Sequence, residues 1–308
     1  MKEQNIFIGV DGGATKSKVI IEDESGNSLG QARGAAASIR YGSEASWRAI
    51  LATIHQALAQ SNIRLGDEKY KFHVGIGVAG CEVASQLEDF CNASHPFATL
   101  VVIPDSYAAC LGAHSGKDGA IIIIGTGVVG FQVQGDKTLQ VSGWGFPHDD
   151  QGGGAWLGLR AVDMTLKWLD GRIQQDSKLF HTVFEKFNKD LNKLIAWATS
   201  ANSTSFAEIA PIVLRHLEDK DPLAVVLIQE AARNVDLIGD ALVRRSEGQK
   251  ALPCSLFGSV APFVQPWLGE SLLMRIAERE KDDTHGAILA LKRKMIQDGT
   301  LNKIGAIS

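Results

Sequence analysis

The chain has 308 residues, of which 31 are basic and 35 acidic, so its formal net charge is −4. Hydrophobic residues make up 45% and charged residues 21%, which are ordinary proportions for a globular protein and exclude a chain that is disordered throughout. The mildly acidic balance lacks the basic patch of a protein that binds nucleic acid or an anionic membrane, so we expect small-molecule partners, no nucleic acid and no membrane.

At roughly 100–200 residues per domain, the length predicts two domains, each large enough to bury its own core, with a cleft between them. The chain begins without the apolar segment and cleavage site of a secretory signal, so we expect a cytoplasmic protein. Its longest apolar stretch, residues 120–131, is broken by Gly125-Thr126-Gly127 and is shorter than the roughly 20 residues of a membrane-spanning helix. Four scattered cysteines form no C-x-x-C pair and are predicted to be reduced, packed thiols: Cys81, Cys91, Cys110 and Cys254.

The first third of the chain predicts a layer of strands and helices. An apolar strand at residues 6–10, an Asp-Gly-Gly turn, a second strand at residues 18–22, a Ser-Gly-Asn turn and a third strand from Ser28 predict a three-stranded antiparallel meander. Ser43 is predicted to cap a helix whose apolar residues repeat with helical spacing from Trp47 to Leu58. Two strands rich in Val and Ile, at residues 72–78 and 100–103, alternate with a helix near residues 83–91, which indicates an α/β layer.

The second part of the chain repeats that opening. A strand at residues 120–124 leads into Gly125-Thr126-Gly127 and two further strands, so the sequence predicts a duplicated fold with a boundary near residue 115. Residues 154 to about 247 are predicted to be mainly helical, followed by a strand at 252–257 and a last helix at about 284–297. One long helix is expected to be lined by apolar residues that include Val235, Leu237, Ile238, Leu242 and Val243.

Several glycine-rich segments resemble nucleotide-binding motifs, and most do not fit them. Residues 75–80 and 125–130 match G-x-G-x-x-G, but the first lies largely inside a strand and the second is followed by a strand where that fingerprint requires a helix. Residues 12–17 lack the glycine that precedes the lysine of a P-loop. The turns after residues 10 and 124 occupy corresponding places in the two halves, so together they are predicted to hold a polyphosphate through backbone N–H groups. Either turn alone would be interpreted as only a hairpin connection, and it is their symmetric placement that favours the phosphate site.

Two polar segments are candidates for substrate chemistry. Asp105 follows an apolar strand, at the sheet edge where α/β proteins bind ligands, although an Asp there could equally serve only as a helix N-cap. Residues 142–156 combine aromatic rings, paired acids, an amide and several glycines, which are group types that recognise a polyol. The alternative for this segment is a flexible, solvated loop.

Six motifs in order resemble those of the sugar kinases of the actin-like ATPase superfamily, specifically the bacterial glucosamine kinases and the N-acetylglucosamine kinase family with its BadF/BadG-type ATPase domain. The resemblance covers nearly the whole chain. The matching segments are residues 11–16 and 125–127 for two phosphate loops, 105–114 for the catalytic aspartate, 146–155 for the F-P-x-x-D-Q-G-x-G-A loop, 257–261 for the adenosine border, and Gly286-Ala287 for the start of the terminal helix.

This resemblance implies an α/β fold of two ribonuclease H-like (actin-like ATPase) domains, with mixed sheets flanked by helices and an interdomain cleft. The N-terminal lobe would span residues 1–115, completed by a C-terminal helix at about 284–300, and the C-terminal lobe would span residues 116–283.

The same resemblance implies an ATP-dependent kinase, with ATP and Mg²⁺ as cofactors, that phosphorylates the C6 hydroxyl of glucosamine or N-acetylglucosamine. Asp105 would be the catalytic base, Asp11 would hold magnesium through water, and Asp150, Gln151 and Gly152 would bind the sugar. For Lys16 itself, the residues favour an exposed turn lysine over a phosphate contact. The implied nucleotide-binding residues are Asp11, Gly12, Gly13, Ala14, Thr15, Lys16, Gly125, Thr126, Gly127, Gly258 and Ser259.

Two departures from the family bear on the choice of sugar. Animal N-acetylglucosamine kinases have D-E-G where this chain has Asp150-Gln151-Gly152, and a sugar-binding Asn in the loop where this chain has Ala37-Ser38-Ile39. Both departures favour the glucosamine-kinase branch and leave the preference between the two amino sugars open.

Two alternative functions use a similar fold. An activator ATPase of the dehydratase-activating type bridges an iron–sulfur cluster with cysteines, which are scattered in this chain. A sugar-sensing regulator needs a helix-turn-helix, which the residues before residue 6 cannot supply. A homodimer is a candidate assembly for any of these functions.

Overall fold

The computed structural model describes residues 3–81 and 83–301, and these form two compact units. The first unit comprises the described residues within 3–119, 133–138 and 278–301, and the second comprises Ala120–Gln132 and Leu139–Ala277. Met1 and Lys2, which belong to the N-terminal stretch considered for a secretory signal, lie outside the described residues.

Within the described residues the chain forms nine β-strands and twelve α-helices. The strands are β1 (Gln4–Gly12), β2 (Lys16–Glu22), β3 (Ser28–Ala35), β4 (Tyr70–Val78), β5 (Thr99–Pro104), β6 (Gly119–Ile124), β7 (Val128–Gln134), β8 (Lys137–Ser142) and β9 (Cys254–Phe257). The helices are α1 (Ser43–Ala59), α2 (Ala84–Cys91), α3 (Asp105–Ala113), α4 (Gly154–Leu169), α5 (Lys178–Glu185), α6 (Leu191–Ser200), α7 (Ser203–Ala207), α8 (Ala210–Glu218), α9 (Pro222–Arg245), α10 (Ala261–Val264), α11 (Glu270–Leu273) and α12 (Asp283–Gln297).

The sheet of the first unit has the strand order β3-β2-β1-β4-β5. β1, β2 and β3 form the predicted antiparallel meander, whereas β4 and β5 lie parallel to β1. The sheet is therefore mixed, and the carboxyl ends of β1, β4 and β5 meet at one edge. In the register of these strands, Gly12 is level with Val78 and Val78 with Pro104.

Helices cover both faces of this sheet. The predicted apolar face of α1 is buried, since Trp47, Ile50 and Ile54 are no more than 5% exposed in the core. On the other face, apolar residues of α12, among them Ile288 and Leu291, pack in a second cluster with residues of β1 and β2. The last helix, α12, therefore covers the second face of this sheet.

The prediction that Ser43 caps α1 is wrong. The helix begins at Ser43 itself, and its N-cap is Gly42, which has a φ of 91° and makes no side-chain cap bond. The Ser43 hydroxyl instead donates to the carbonyl oxygen of Asp89 at 3.3 Å. Because glycine adopts this left-handed backbone readily, the chain turns into the helix one residue earlier than the serine signal suggests.

The second unit contains a sheet of order β8-β7-β6-β9, in which β6 and β9 are parallel, and a large helical core. Val235 and Leu242 of α9 are fully buried in that core. The prediction that Leu237 lines the same face is wrong, because it is 61% exposed. At 3.6 residues per turn, position 237 lies on the far side of the helix from position 235.

The four cysteines, all within the described residues, are not paired in disulfide bonds. Cys110 and Cys254 are buried as predicted, whereas Cys81 and Cys91 are only half-buried. Among the described helices, not one has the length and apolar character needed to span a bilayer.

Candidate active site

The first unit places two of the predicted acidic residues at the same edge of its sheet. Asp11 lies at the carboxyl end of β1, directly opposite Lys18 of β2 in the antiparallel register. Asp105 follows the last residue of β5 and begins α3. The carboxyl edge of parallel strands is where open α/β sheets bind their ligands, so both carboxylates occupy a position suited to chemistry.

Asp105 is not the N-cap of α3, so that alternative interpretation is wrong. The cap is Pro104, which makes no side-chain cap bond, and Asp105 is the first helical residue. Its Oδ1 accepts the backbone N–H of Ser106 at 2.8 Å, and the side chain is exposed. Gly77 of β4 allows α3 to lie close to the sheet, because a Cβ there would come within 2.6 Å of the Ala108 Cβ.

The electrostatics around Asp11 show an excess of negative charge. Burial and, after it, the neighbouring charges of Asp283, Asp105 and Asp282 together raise the pKa of Asp11 to about 7, against an opposing effect of Lys16. Burial and the charge of Asp282 likewise raise the pKa of Asp283. Buried carboxylates that repel one another make folding less favourable, and such groups are found chiefly at functional sites, where the chemistry requires their shifted pKa values.

Asp282 and Asp283 are residues that sequence reasoning missed. They lie just upstream of the Gly286-Ala287 pair, which was interpreted only as the start of a terminal helix. Asp282 is the N-cap of α12, and its Oδ1 accepts hydrogen bonds from the Thr284 hydroxyl at 2.6 Å and from His285 Nδ1 at 2.8 Å. Its Oδ2 accepts a hydrogen bond from the ammonium group of Lys18. Although burial acts to raise it, these hydrogen bonds hold the pKa of Asp282 well below its usual range.

The acidic residues fit Mg²⁺ by their chemistry. Mg²⁺ prefers oxygen ligands, keeps several of its waters and binds through few carboxylates, so the charged oxygens around Asp11 are suitable partners. In the part of the chain that the structure describes, no three Asp, Glu, His or Cys side chains form a group that could hold a metal ion by themselves.

The first glycine turn joins β1 to β2. Gly12 is buried, and the carbonyl oxygen of Gly13 accepts the Ala37 N–H at 3.1 Å. The Ala14 carbonyl oxygen accepts the Tyr41 hydroxyl at 2.7 Å. Thr15 and Lys16 are exposed, so their side chains are available to a ligand at the surface of the turn.

The second glycine turn lies between β6 and β7 in the second unit. Its carbonyl oxygens are held by the beginning of α4, because the Gly154 N–H donates to Gly125 at 2.8 Å and the Ala155 N–H donates to Thr126 at 2.9 Å. The Thr126 side chain is exposed. The backbone of this turn is thus fixed by hydrogen bonds from the first residues of α4.

Asp150 connects this turn to the predicted sugar-binding segment. Its Oδ1 accepts the Val128 N–H at 3.1 Å, and its carboxylate lies so close to Gly127 that a Cβ there would come within 2.6 Å of both oxygens. Burial raises the pKa of Asp150, and the charge of Asp149 adds to this effect against the Val128 hydrogen bond. The sequence placed these two segments in separate motifs, and the structure joins them through one carboxylate.

Of the remaining predicted residues of the second unit, Gly258 lies directly against the same turn. Gly258, with a φ of 94°, is so close to it that a Cβ would come within 2.2 Å of the Ile124 carbonyl oxygen and 2.9 Å of the Gly125 nitrogen. Ser259 follows it and is exposed. Gln151 is half-buried and its Nε2 donates to the His148 carbonyl oxygen at 3.3 Å, and Gly152 is buried with a φ of 99°.

Comparisons with known proteins identify relatives of this chain. The sequence model of the BadF/BadG/BcrA/BcrD ATPase family matches residues 8–278. The glucosamine kinase GspK of Vibrio cholerae is 34% identical over 92% of this chain and 95% of its own length. The N-acetyl-D-glucosamine kinase of Dictyostelium discoideum is 26% identical over 78% of this chain and 80% of its own length.

Solved structures agree with the fold. A crystal structure from Chromobacterium violaceum, provisionally named an N-acetylglucosamine kinase, has a TM-score of 0.80 at 32% identity and covers 93% of this chain and 98% of its own. The ROK hexokinase of Thermus thermophilus has a TM-score of 0.58 at 16% identity, over 94% of this chain and 99% of its own, and shows the fold alone. The predicted fold of mixed sheets flanked by helices is confirmed. The chain belongs to the BadF/BadG/BcrA/BcrD ATPase family.

Proposed function

We propose that the protein is an ATP-dependent amino-sugar kinase that transfers the γ-phosphoryl group of ATP to the C6 hydroxyl of glucosamine or N-acetylglucosamine. The observation that carries the proposal is the placement of Asp105 at the carboxyl edge of the first sheet, with the charges of Asp11 and Asp283 close enough to interact. The similarity to the Vibrio cholerae glucosamine kinase over nearly the whole chain supports the substrate class.

Asp105 would act as the general base. It would accept the proton of the sugar hydroxyl as that oxygen attacks the γ-phosphorus, a role that contributes about 10²–10⁴-fold to rate. The exposed side chain and its position as the first residue of α3 leave the carboxylate accessible to a substrate. Phosphoryl transfer otherwise asks the protein mainly to position its reactants and to stabilise charge.

The nucleotide would be held by the two glycine turns. Gly12, Gly13 and Thr15 of the first turn and Gly125, Thr126 and Gly127 of the second would offer backbone and hydroxyl donors to phosphate oxygens. Gly258 and Ser259 would border the nucleoside, which fits the close approach of Gly258 to the second turn. Asp11 would hold magnesium through water, and the metal when bound would neutralise charge on the phosphates.

The sugar would be bound by Asp150, Gln151 and Gly152. Asp150 would contact ring hydroxyls while its Oδ1 holds the Val128 N–H, so the sugar segment and the phosphate turn would respond together to the substrate. Ser38 stands in the loop where animal N-acetylglucosamine kinases have a sugar-binding Asn. Its hydroxyl is buried and donates to the Ala79 carbonyl oxygen at 2.9 Å, which supports recognition of the unmodified amino sugar. Because ATP is the proposed donor, we place the reaction in the cytoplasm.

A coupled assay of ADP release tests this function. The purified protein is assayed with Mg-ATP and glucosamine, N-acetylglucosamine or glucose, and kcat/KM is compared. We expect glucosamine to be used at least as efficiently as N-acetylglucosamine, and glucose to be poorer than the better of the two, because a site built to hydrogen-bond a substrate group rejects analogues that lack it. A clear preference for the acetylated sugar would overturn the glucosamine-kinase branch, and no turnover of any of the three would overturn the kinase.

A further inference from the structure

Lys18 forms an ion pair that joins β2 to the beginning of α12. Its ammonium group donates to Asp282 Oδ2, and the two side chains are 28% and 32% exposed. Lys18 also stands opposite Asp11 in the β1–β2 register, and its charge opposes the rise in the pKa of Asp283. A cation held by this ion pair therefore lies beside the acidic residues of the candidate site.

The Asp282 carboxylate accepts hydrogen bonds from several donors. Besides Lys18 and the side chains of Thr284 and His285, it accepts the His285 backbone N–H at 3.2 Å as the N-cap of α12. Charge-assisted hydrogen bonds of this kind are stronger than neutral ones, and a half-buried pair is less screened by solvent than an exposed pair. The first turn of α12 is thus fixed relative to β2.

The same turn is packed directly against α3. Lys281 donates its N–H to the Gly112 carbonyl oxygen at 3.1 Å, and a Cβ on Gly112 would come within 2.2 Å of the Asp282 carbonyl oxygen. A Cβ on Gly286 would come within 1.8 Å of the Ala108 carbonyl oxygen. With backbone against backbone at both contacts, a movement of Asp282 must be followed by α3, because close-packed interiors transmit displacement.

We propose that Lys18 is a positioning residue for phosphoryl transfer: through Asp282 it fixes the first turn of α12, and through α12 it fixes α3 and the Asp105 carboxylate at its start. This inference rests on the proposed kinase function. A displacement of about 1 Å at a reacting group can lower the rate by about 10²-fold, so a residue that touches no substrate can matter for kcat.

Lys292 provides a matched control. Lys292 lies on α12 and also contacts β2. Its ammonium group lies 3.6 Å from Glu22 Oε2 and 4.9 Å from the centre of the Phe7 ring. It is 7% exposed, so this pair is more buried than that of Lys18 and lies on a later turn of α12. A loss of β2–α12 attachment in general would affect both lysine variants alike.

The test compares Lys18→Met, Asp282→Asn, their double variant and Lys292→Met. For both single changes at the Lys18 pair we expect kcat to fall about 10- to 100-fold, with KM for ATP and for the sugar within about twofold of the wild type. The kcat of the double variant should be no lower than that of the more impaired single variant, because both changes break the same ion pair. Lys292→Met should lower Tm and keep the wild-type kcat.

Other results would overturn the inference. Wild-type kcat in both Lys18→Met and Asp282→Asn would show that the pair positions nothing that reacts. A raised KM for ATP with unchanged kcat would make Lys18 a phosphate ligand, and an equal loss of kcat in Lys292→Met would make the effect one of general destabilisation.

Amide hydrogen exchange separates this inference from the proposed function. Lys18→Met should accelerate exchange across α3 and the first turn of α12 more than Lys292→Met does. If the wild-type protein phosphorylates no amino sugar, the kinase proposal fails by itself. Equal exchange in the two lysine variants would overturn the positioning role whatever the activity.

Discussion

Replacing Asp11 by Asn should stabilise the protein against unfolding while it removes function. Burial and three neighbouring carboxylates raise the pKa of Asp11 from 3.8 to about 7, so the folded state disfavours the ionised form. A carboxyl group whose pKa is raised in the folded state leaves the free energy of unfolding unchanged at pH values below its unfolded-state pKa. It lowers that free energy progressively as the pH rises from about 4 to 7. Asn carries no charge and escapes this cost.

The size of the effect follows from the shift. Each pKa unit corresponds to about 1.4 kcal/mol, so a shift of about three units amounts to about 4 kcal/mol at full ionisation. The destabilisation by Asp11 increases by about 3 kcal/mol between pH 4.5 and pH 8. Solvent screening of a partly exposed group reduces this difference to about 1–3 kcal/mol. For a chain of this size that is a rise in Tm of about 2–6 °C relative to the wild type.

Thermal melts of the wild type, Asp11→Asn and Asp136→Asn at pH 4.5 and pH 8, all without nucleotide, measure this difference. Asp136 is an exposed aspartate in the β7–β8 turn and should show no gain that depends on pH. Mg-ATP should raise the Tm of the wild type and not that of Asp11→Asn, because only the wild type binds the complex. A Tm difference between Asp11→Asn and wild type that is the same at both pH values would refute the assigned pKa and its electrostatic cause.

Three further substitutions test other parts of the site and the fold. Asp105→Asn should lower kcat by about 10²-fold or more with an unchanged melting curve, and survival of activity would remove the general base. Asp150→Ala should lower kcat/KM for every sugar and also raise KM for ATP, because the Val128 N–H loses its acceptor; an unchanged KM for ATP would contradict its role at the turn. Gly286→Ala should destabilise the protein by about 1–3 kcal/mol or more, since its Cβ would meet the Ala108 carbonyl oxygen at 1.8 Å, and a wild-type Tm would contradict the tight α3–α12 contact.

Local patterns predicted the parts of the fold that local chemistry decides. The Asp-Gly-Gly and Ser-Gly-Asn turns gave the correct β1–β2–β3 meander because turn residues specify hairpins within a few positions. The apolar spacing around Trp47 gave α1 because a helix buries one stripe of its surface. The same reasoning went wrong at Leu237, since an apolar residue inside a long helix was assigned to the core without regard to its face.

The parts of the site that were missed depend on contacts between distant segments. Lys18 and Asp282 are separated by 264 positions and meet only because α12 returns to the first sheet. Burial and the adjacent Asp282 raise the pKa of Asp283, and the same return of the chain adds the charge of the distant Asp105. The Asp-Asp pair before a predicted helix was the available indication, because an acidic residue there is expected to be an N-cap.

The most direct test of the central claim is the identity of the phosphorylated product. The protein is incubated with Mg-ATP and glucosamine, and the mixture is followed by ³¹P NMR while ADP is quantified. The account predicts one sugar phosphate ester, at C6, that forms in equal amount to ADP. With Asp105→Asn in place of the wild type, the ester should form at least about 10²-fold more slowly. Formation of ADP and inorganic phosphate without any phosphate ester would contradict it.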